Sequence, residues 1–177
     1  GKYIRQDINK AIHYYTLAAN HNYSEAQFIL GNIYLKGNKD IQRDISKAIH
    51  YFTLAADQNH IKAQYTLGCI YSEGKYIQHD ISKAIHYLTL AANSNLSEAQ
   101  NNLGFIYSEG KYIPKDIGKA IHYYTLAANQ NFSYAQNNLG RMYYNGEQIS
   151  RDINKSIHYY SLAANQNYPE AQFNLGM

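Results

Sequence analysis

Asp44, Asp80, Asp116 and Asp152 each open nearly the same stretch of chain, and Asp7 opens a fifth copy. The copies read DINKAIHYYTLAAN, DISKAIHYFTLAAD, DISKAIHYLTLAAN, DIGKAIHYYTLAAN and DINKSIHYYSLAAN. A second segment follows each: AQFILGNIY, AQYTLGCIY, AQNNLGFIY, AQNNLGRMY and AQFNLGM. The period is 36 residues except between Gly37 and Asp44, where one extra residue stands. An insertion that leaves both flanking patterns intact predicts a surface turn there. Self-similarity at this period points to stacked supersecondary units rather than to one closed core.

Both segments carry a helical period. In the first, Ile8, Ala11, Ile12, Tyr15, Ala18 and Ala19 form one apolar stripe, Asp7 is placed to cap the start, and Asn20 to Asn22 end the helix. The second has a core stripe of Ala26, Leu30, Ile33 and Tyr34. Its start reads as an S-x-x-Q capping box at Ser24 with Gln27, Ser97 with Gln100 and Ser133 with Gln136. Ile61 breaks that cap, and Pro169 replaces it with a first-turn proline. Gly31, Gly68, Gly104 and Gly140 interrupt the helix at about 1 kcal/mol each against Ala. A cost met in every copy predicts close helix–helix approach. Gly37, Gly74, Gly110 and Gly146 are expected to end the helix.

Two short helices cannot bury both stripes alone, so neighbouring copies must stack. The expectation is an all-α solenoid of antiparallel helix pairs repeating every 36 residues, a single array over residues 1–177. Outer helices are expected at about 7–20, 44–57, 80–93, 116–129 and 152–165, and inner helices at about 24–36, 61–73, 97–109, 133–145 and 169–177. The chain begins at Gly1 and stops within the pattern at Met177, which reads as a piece of a longer chain with apolar surface open at its C-terminal end.

These residues resemble the Sel-1-like repeat, a relative of the tetratricopeptide repeat. The unit with Ala63, Leu67, Gly68, Tyr71, Gly74, Asp80, Lys83, Ala84, Tyr87, Ala91 and Ala92 carries the pattern A-x-x-x-L-G-x-x-Y-x-x-G followed by D-x-x-K-A-x-x-Y-Y-x-x-A-A. Departures are Ser156 in place of Ala, and Asn22, Asn59, Asn95, Asn131 and Asn167 where the family has Gly. The tetratricopeptide pattern has a period of 34 and lacks the Gly-to-Asp loop. The resemblance implies a right-handed superhelix that serves as a protein-interaction scaffold or adaptor without chemistry of its own. It also implies that the inner-helix face opposite the core stripe lines a concave groove.

On that face lie the second, fifth, ninth and twelfth inner positions. They are Glu25, Phe28, Asn32 and Leu35 in the first copy, and Lys62, Tyr65, Cys69 and Ser72 in the second. The third copy holds Glu98, Asn101, Phe105 and Ser108, and the fourth Tyr134, Asn137, Arg141 and Tyr144. These letters differ most from copy to copy. A framework position repeats its residue because the same job recurs, whereas a reading position need not. The aromatic and Arg members suit interface hot spots best.

Other features read as structure. His13, His50, His86, His122 and His158 form a ladder opposite the buried stripe, with no carboxylate or cysteine at fixed ligand spacing, so solvated surface is expected rather than a metal site. Leu17, Leu54, Leu90, Leu126 and Leu162 form a second ladder that packs over adjoining tyrosines or marks self-association. Cys69 reads as a small apolar filler, and a lone cysteine excludes an intrachain disulfide. The sequons at Asn22, Asn95 and Asn131 arise where a helix stop meets a helix start, and Asn154 begins a fourth.

No catalytic, cofactor or metal motif is present. Cysteine-rich relatives in the resembled family are linked to penicillin binding, but their paired cysteines are missing here. A net charge of +3, from 16 Lys+Arg against 13 Asp+Glu, shows no basic cluster and argues against an RNA-binding repeat. No apolar run approaches the roughly 20 residues of a membrane span. The expected partner is a protein or peptide. The alternative is a structural spacer or self-associating array, meeting through the open C-terminal repeat or the Leu ladder, appended to a catalytic domain outside these residues.

Overall fold

Asp44, Asp116 and Asp152 stand in extended backbone just before a helix, and each carboxylate accepts the backbone N–H of the lysine three residues on. Asp80 does the same to Lys83 at 3.0 Å. Each cap satisfies one of the orphan N–H groups of a first turn. The computed structural model describes residues 8–39, 41–146 and 149–177. Asp7, expected to cap the first helix, lies outside the described residues.

Among the described residues there are ten helices and no strand. The outer helices are α1 (Ile8–Asn20), α3 (Ile45–Ala56), α5 (Ile81–Asn93), α7 (Ile117–Asn129) and α9 (Ile153–Ala164). The inner helices are α2 (Ser24–Lys36), α4 (Ile61–Glu73), α6 (Ser97–Glu109), α8 (Ser133–Asn145) and α10 (Pro169–Leu175). Asn22, Asn59, Asn95, Asn131 and Asn167 hold φ between 59° and 67° at the outer-to-inner turns. That is the left-handed region, which Asn tolerates better than most residues. Gly37, Gly74, Gly110 and Gly146 turn the chain at the other end with φ between 60° and 69°.

The capping-box expectation is overturned. Ser24, Ser97 and Ser133 are already helical, the cap positions fall on Tyr23, Leu96 and Phe132, and no side chain caps there. The glutamines are instead buried, and each Nε2 reaches back to the preceding outer helix. Gln27 donates to the Ala19 carbonyl, Gln64 to Ala56, Gln100 to Ala92 and Gln136 to Ala128, at 3.1–3.2 Å. An outer-helix C-terminus leaves carbonyls without intrahelical partners, and each of these accepts both the N–H of the turn asparagine and the buried amide. Where Ile61 breaks the serine pattern, His60 Nδ1 accepts the Ala63 N–H at 3.2 Å.

The chain divides into two compact units, Gly1–Leu90 and Ala91–Met177. In the first, Ala48, Phe52, Ala55, Ala56, Ala63, Leu67 and Ile70 form the core, and Ala19, Ala26 and Leu30 a smaller cluster beside it. In the second, Ala120, Tyr124, Ala127, Ala128, Ala135 and Leu139 play the first role, and Tyr160, Ala163 and Ala171 the second.

The helix glycines explain the stacking. A Cβ built on Gly31 would lie 2.6 Å from the Phe52 ring, on Gly68 2.6 Å from Leu88 Cγ, on Gly104 2.6 Å from the Tyr124 ring, and on Gly140 2.6 Å from the Tyr160 ring. Each of these four inner helices thus receives a large side chain of the next outer helix in the space a methyl would fill. Burying such a side chain contributes about 1.5–3 kcal/mol, more than the glycine's propensity cost of about 1 kcal/mol. Ser156, the departure from Ala, is buried and donates to the Gly140 carbonyl at 2.9 Å.

The same junctions carry near-parallel tyrosine stacks: Tyr34 on Tyr51, Tyr71 on Tyr87, Tyr107 on Tyr123 and Tyr143 on Tyr159, with centroids 5.9–6.0 Å apart. Lys47, Lys83, Lys119 and Lys155 sit 5.0–5.2 Å over the first ring of each pair. The loop between copies is pinned beside them. The N–H of Asp44, Asp80, Asp116 and Asp152 donates to the carbonyl of Tyr34, Tyr71, Tyr107 and Tyr143 at 3.0–3.1 Å. The extra residue between Gly37 and Asp44 leaves both anchors in place.

Candidate functional site

The inner-helix positions singled out by their variability do not share one environment. In the first unit, Phe28 is half-buried, stacked on His60 at 4.7 Å and tilted against Phe52 at 5.7 Å, so its ring joins neighbouring copies. Leu35 packs against the same core. Asn32 is half-buried and donates to the Phe28 carbonyl at 3.0 Å. Glu25 and Lys62 are exposed, while Tyr65, Cys69 and Ser72 are half-buried. Because His60 Nδ1 accepts a backbone N–H, its Nε2 carries the proton that reaches Glu25 Oε2 at 3.1 Å.

The second unit presents more. Phe105 is 50% exposed and Tyr134 54%, Tyr144 and Arg141 are exposed, and Glu98 is half-buried and accepts from the Ser97 hydroxyl at 3.1 Å. Tyr134 lies 4.9 Å from the Tyr168 ring, and the Arg151 guanidinium sits 5.1 Å over Tyr144. Arg141 makes no ion pair among the described residues. Asn137 corrects the expectation that this stripe is open: it is 5% exposed. Its Nδ2 donates to Glu170 at 3.3 Å and its Oδ1 accepts from Asn174 at 3.2 Å. Asn101 and Asn138 are joined in the same way at 3.2 Å.

Asn138, Asn174, Glu170 and Tyr168 escaped the sequence reading, which kept to every third or fourth residue. The doubled Asn at 101–102 and 137–138, where the earlier copies have Phe28-Ile29 and Tyr65-Thr66, was the available signal. Tyr168 donates to Glu170 at 3.1 Å. Burial first, then that carboxylate, pushes the Tyr168 hydroxyl up to about 12.

The two ladders separate. All five ladder histidines are exposed, and each sets its ring edge-on to the following tyrosine at 5.1–5.4 Å. Leu17 and Leu126 are exposed, but Leu54, Leu90 and Leu162 are half-buried, so the leucines do not form one open row. Among the described residues no three His, Cys, Asp or Glu side chains are grouped to hold a metal ion, and no helix is long and apolar enough to cross a membrane.

Comparison with known proteins agrees with the architecture. A Sel1 repeat protein from Oxalobacter formigenes is 32% identical, with a TM-score of 0.81 over 94% of this chain and 68% of that one. A protective antigen of uropathogenic Escherichia coli displaying an SLR fold is 31% identical, with a TM-score of 0.87 over 93% of this chain. The chain spans 35% of that antigen's length. The Helicobacter pylori cysteine-rich protein B is 26% identical, with a TM-score of 0.58 over 78% of this chain and 98% of that one. No curated protein sequence is similar enough to count as a match. The sequence pattern of the Sel1 repeat matches residues 1–23, 24–60, 61–96, 97–132, 133–168 and 169–177, so the chain belongs to the Sel1 repeat family.

Proposed function

We propose that the chain is a non-catalytic scaffold whose inner-helix faces bind a peptide or protein. Sel1-repeat proteins are generally protein-interaction scaffolds. The observation that carries the reading is the contrast within one molecule. Glycine hollows, tyrosine stacks and aspartate caps recur in copy after copy, whereas the inner-helix letters change and the second unit exposes Phe105, Tyr134, Arg141 and Tyr144. Rings and a guanidinium that the fold does not bury are the side chains that dominate interface energetics.

The test is capture from lysate of the source cells with mass spectrometry, comparing the wild-type chain with a Tyr65→Ala/Phe105→Ala/Arg141→Glu variant of equal helicity by circular dichroism. The expected result is a partner retained by the first and lost by the second. A spacer or self-associating array is the second reading, favoured by the exposed Leu17 and Leu126 of the outer helices. It becomes the better account if both proteins retain the same set or neither retains any.

A further inference from the structure

In the second unit, Ser108 and Glu109 at the end of α6, Lys115 and Ile117 before and at the start of α7, Tyr124 within it, and Arg141, Met142 and Asn145 of α8 enclose a cleft of about 220 Å³. Two of its residues set this copy apart. By sequence register the pair corresponding to Tyr124 and Arg141 is Tyr15 and Asn32 in the first copy, Phe52 and Cys69 in the second, Leu88 and Phe105 in the third, and Tyr160 and Met177 in the fifth. Only the fourth copy brings a phenol and a guanidinium to the same cleft.

The polar groups there are under-used. Ser108 Oγ donates to the Phe105 carbonyl at 3.0 Å, which leaves it as acceptor toward the Tyr124 hydroxyl. That contact is 3.4 Å, long for an O–H···O bond, although Tyr124 is only 1% exposed. A buried hydroxyl with a weak partner is a donor for something better. Burial pushes that hydroxyl up to about 12, with the Arg141 charge pulling the other way, so it is protonated and able to donate at every physiological pH. Arg141 is an exposed guanidinium with no ion pair among the described residues. Glu109 lines the cleft as well and opposes an anion, but Lys115 on the same wall offsets it, leaving one net positive charge.

We propose that this cleft binds a carboxylate of a peptide ligand, with Arg141 pairing with the carboxylate and the Tyr124 hydroxyl donating to it. This rests on the reading of the inner-helix face as a peptide-binding surface and names the chemistry recognised there. A guanidinium fork matches the two oxygens of a carboxylate, and charge-assisted bonds in a partly enclosed cleft are the strong kind. The carboxylate can come from an acidic side chain or from a chain terminus.

The test is a titration of the full chain, followed by the backbone amide shifts of Ser108, Arg141 and Asn145, with three N-acetylated alanine peptides. One ends in a free carboxylate, one is amidated and carries a central Asp, and one is amidated with no acid. Saturable shifts are expected with a carboxylate peptide and not with the acid-free one, and which of the first two binds identifies the source. Arg141→Gln is expected to weaken binding about tenfold or more, and Tyr124→Phe by several-fold, in line with the loss of hydrogen bonds to a charged group. Both variants are expected to fold, because Phe52 and Cys69 fill these positions in the second copy. Equal shifts with the acid-free peptide, no saturable shift with any, or an Arg141→Gln variant that binds as wild type overturns the proposal. If it falls while Tyr65→Ala/Phe105→Ala still abolishes partner capture, the peptide-binding reading stands without it. If capture is also unaffected, both fall.

Discussion

At Gly140 an added methyl group would sit 2.6 Å from Cδ1 of Tyr160, a ring held 5% exposed between helices. Ala is the better helix former by about 1 kcal/mol, yet overpacking a filled site costs about 1–3 kcal/mol. Gly140→Ala is therefore expected to lower the thermal midpoint. Gly118, exposed in α7, meets only Asp116 Oδ1 at 3.5 Å, so Gly118→Ala is expected to raise stability by about 0.5–1 kcal/mol. A pair of thermal melts decides it, and a stabilised Gly140→Ala would refute the account of the hollow. This residue-scale feature was legible in advance, because a glycine repeated inside four helices has few reasons to persist. What fills each hollow was not: Phe52, Leu88, Tyr124 and Tyr160 follow no single rule of type.

Along an element, the aspartate caps give a pH dependence. The Asp80 and Asp116 carboxylates are held below their ordinary value of 3.8, first by the backbone N–H of Lys83 and Lys119, and then by the same lysines' side chains, against a desolvation that raises them. A carboxylate lowered in the folded state contributes stability that is complete above its unfolded value and is lost as pH falls through the folded one. Asn caps as well as Asp but does not titrate. Asp80→Asn/Asp116→Asn is thus expected to melt close to wild type at neutral pH and to lose less of its midpoint on acidification below about pH 4. An unchanged acid slope would remove the caps from the explanation. At this scale the helices and their glycine and asparagine stops could be read from letters and spacing. The inner-helix starts could not. Ser followed three residues later by Gln spells a capping box, yet the glutamine finds a better acceptor on another helix, a tertiary bond that a local motif cannot show. Asn137 was misplaced for a related reason: helical angle puts it on the open face, but Glu170 and Asn174 of α10 cover it.

For the whole molecule, stability in a stacked array is a sum over copies and their neighbours, so opening free energy should vary with how many faces of a helix are packed. Helix α8 buries Ala135, Gln136, Asn137, Leu139 and Gly140, whereas α10 buries Ala171 alone. Hydrogen exchange is expected to be fastest in α10 and slowest in α7 and α8. Uniform protection across the second unit would mean that it opens as one block. The lodging of a ring over Gly31, Gly104 and Gly140 also bears on how such a chain changes length over generations. Unequal recombination between two copies of the gene segment inserts or deletes one module in register. The seam it creates joins an inner helix with its hollow to an outer helix with its ring, a joint the molecule already owns. Newborn modules inherit a working interface, from which their exposed inner-helix letters can diverge.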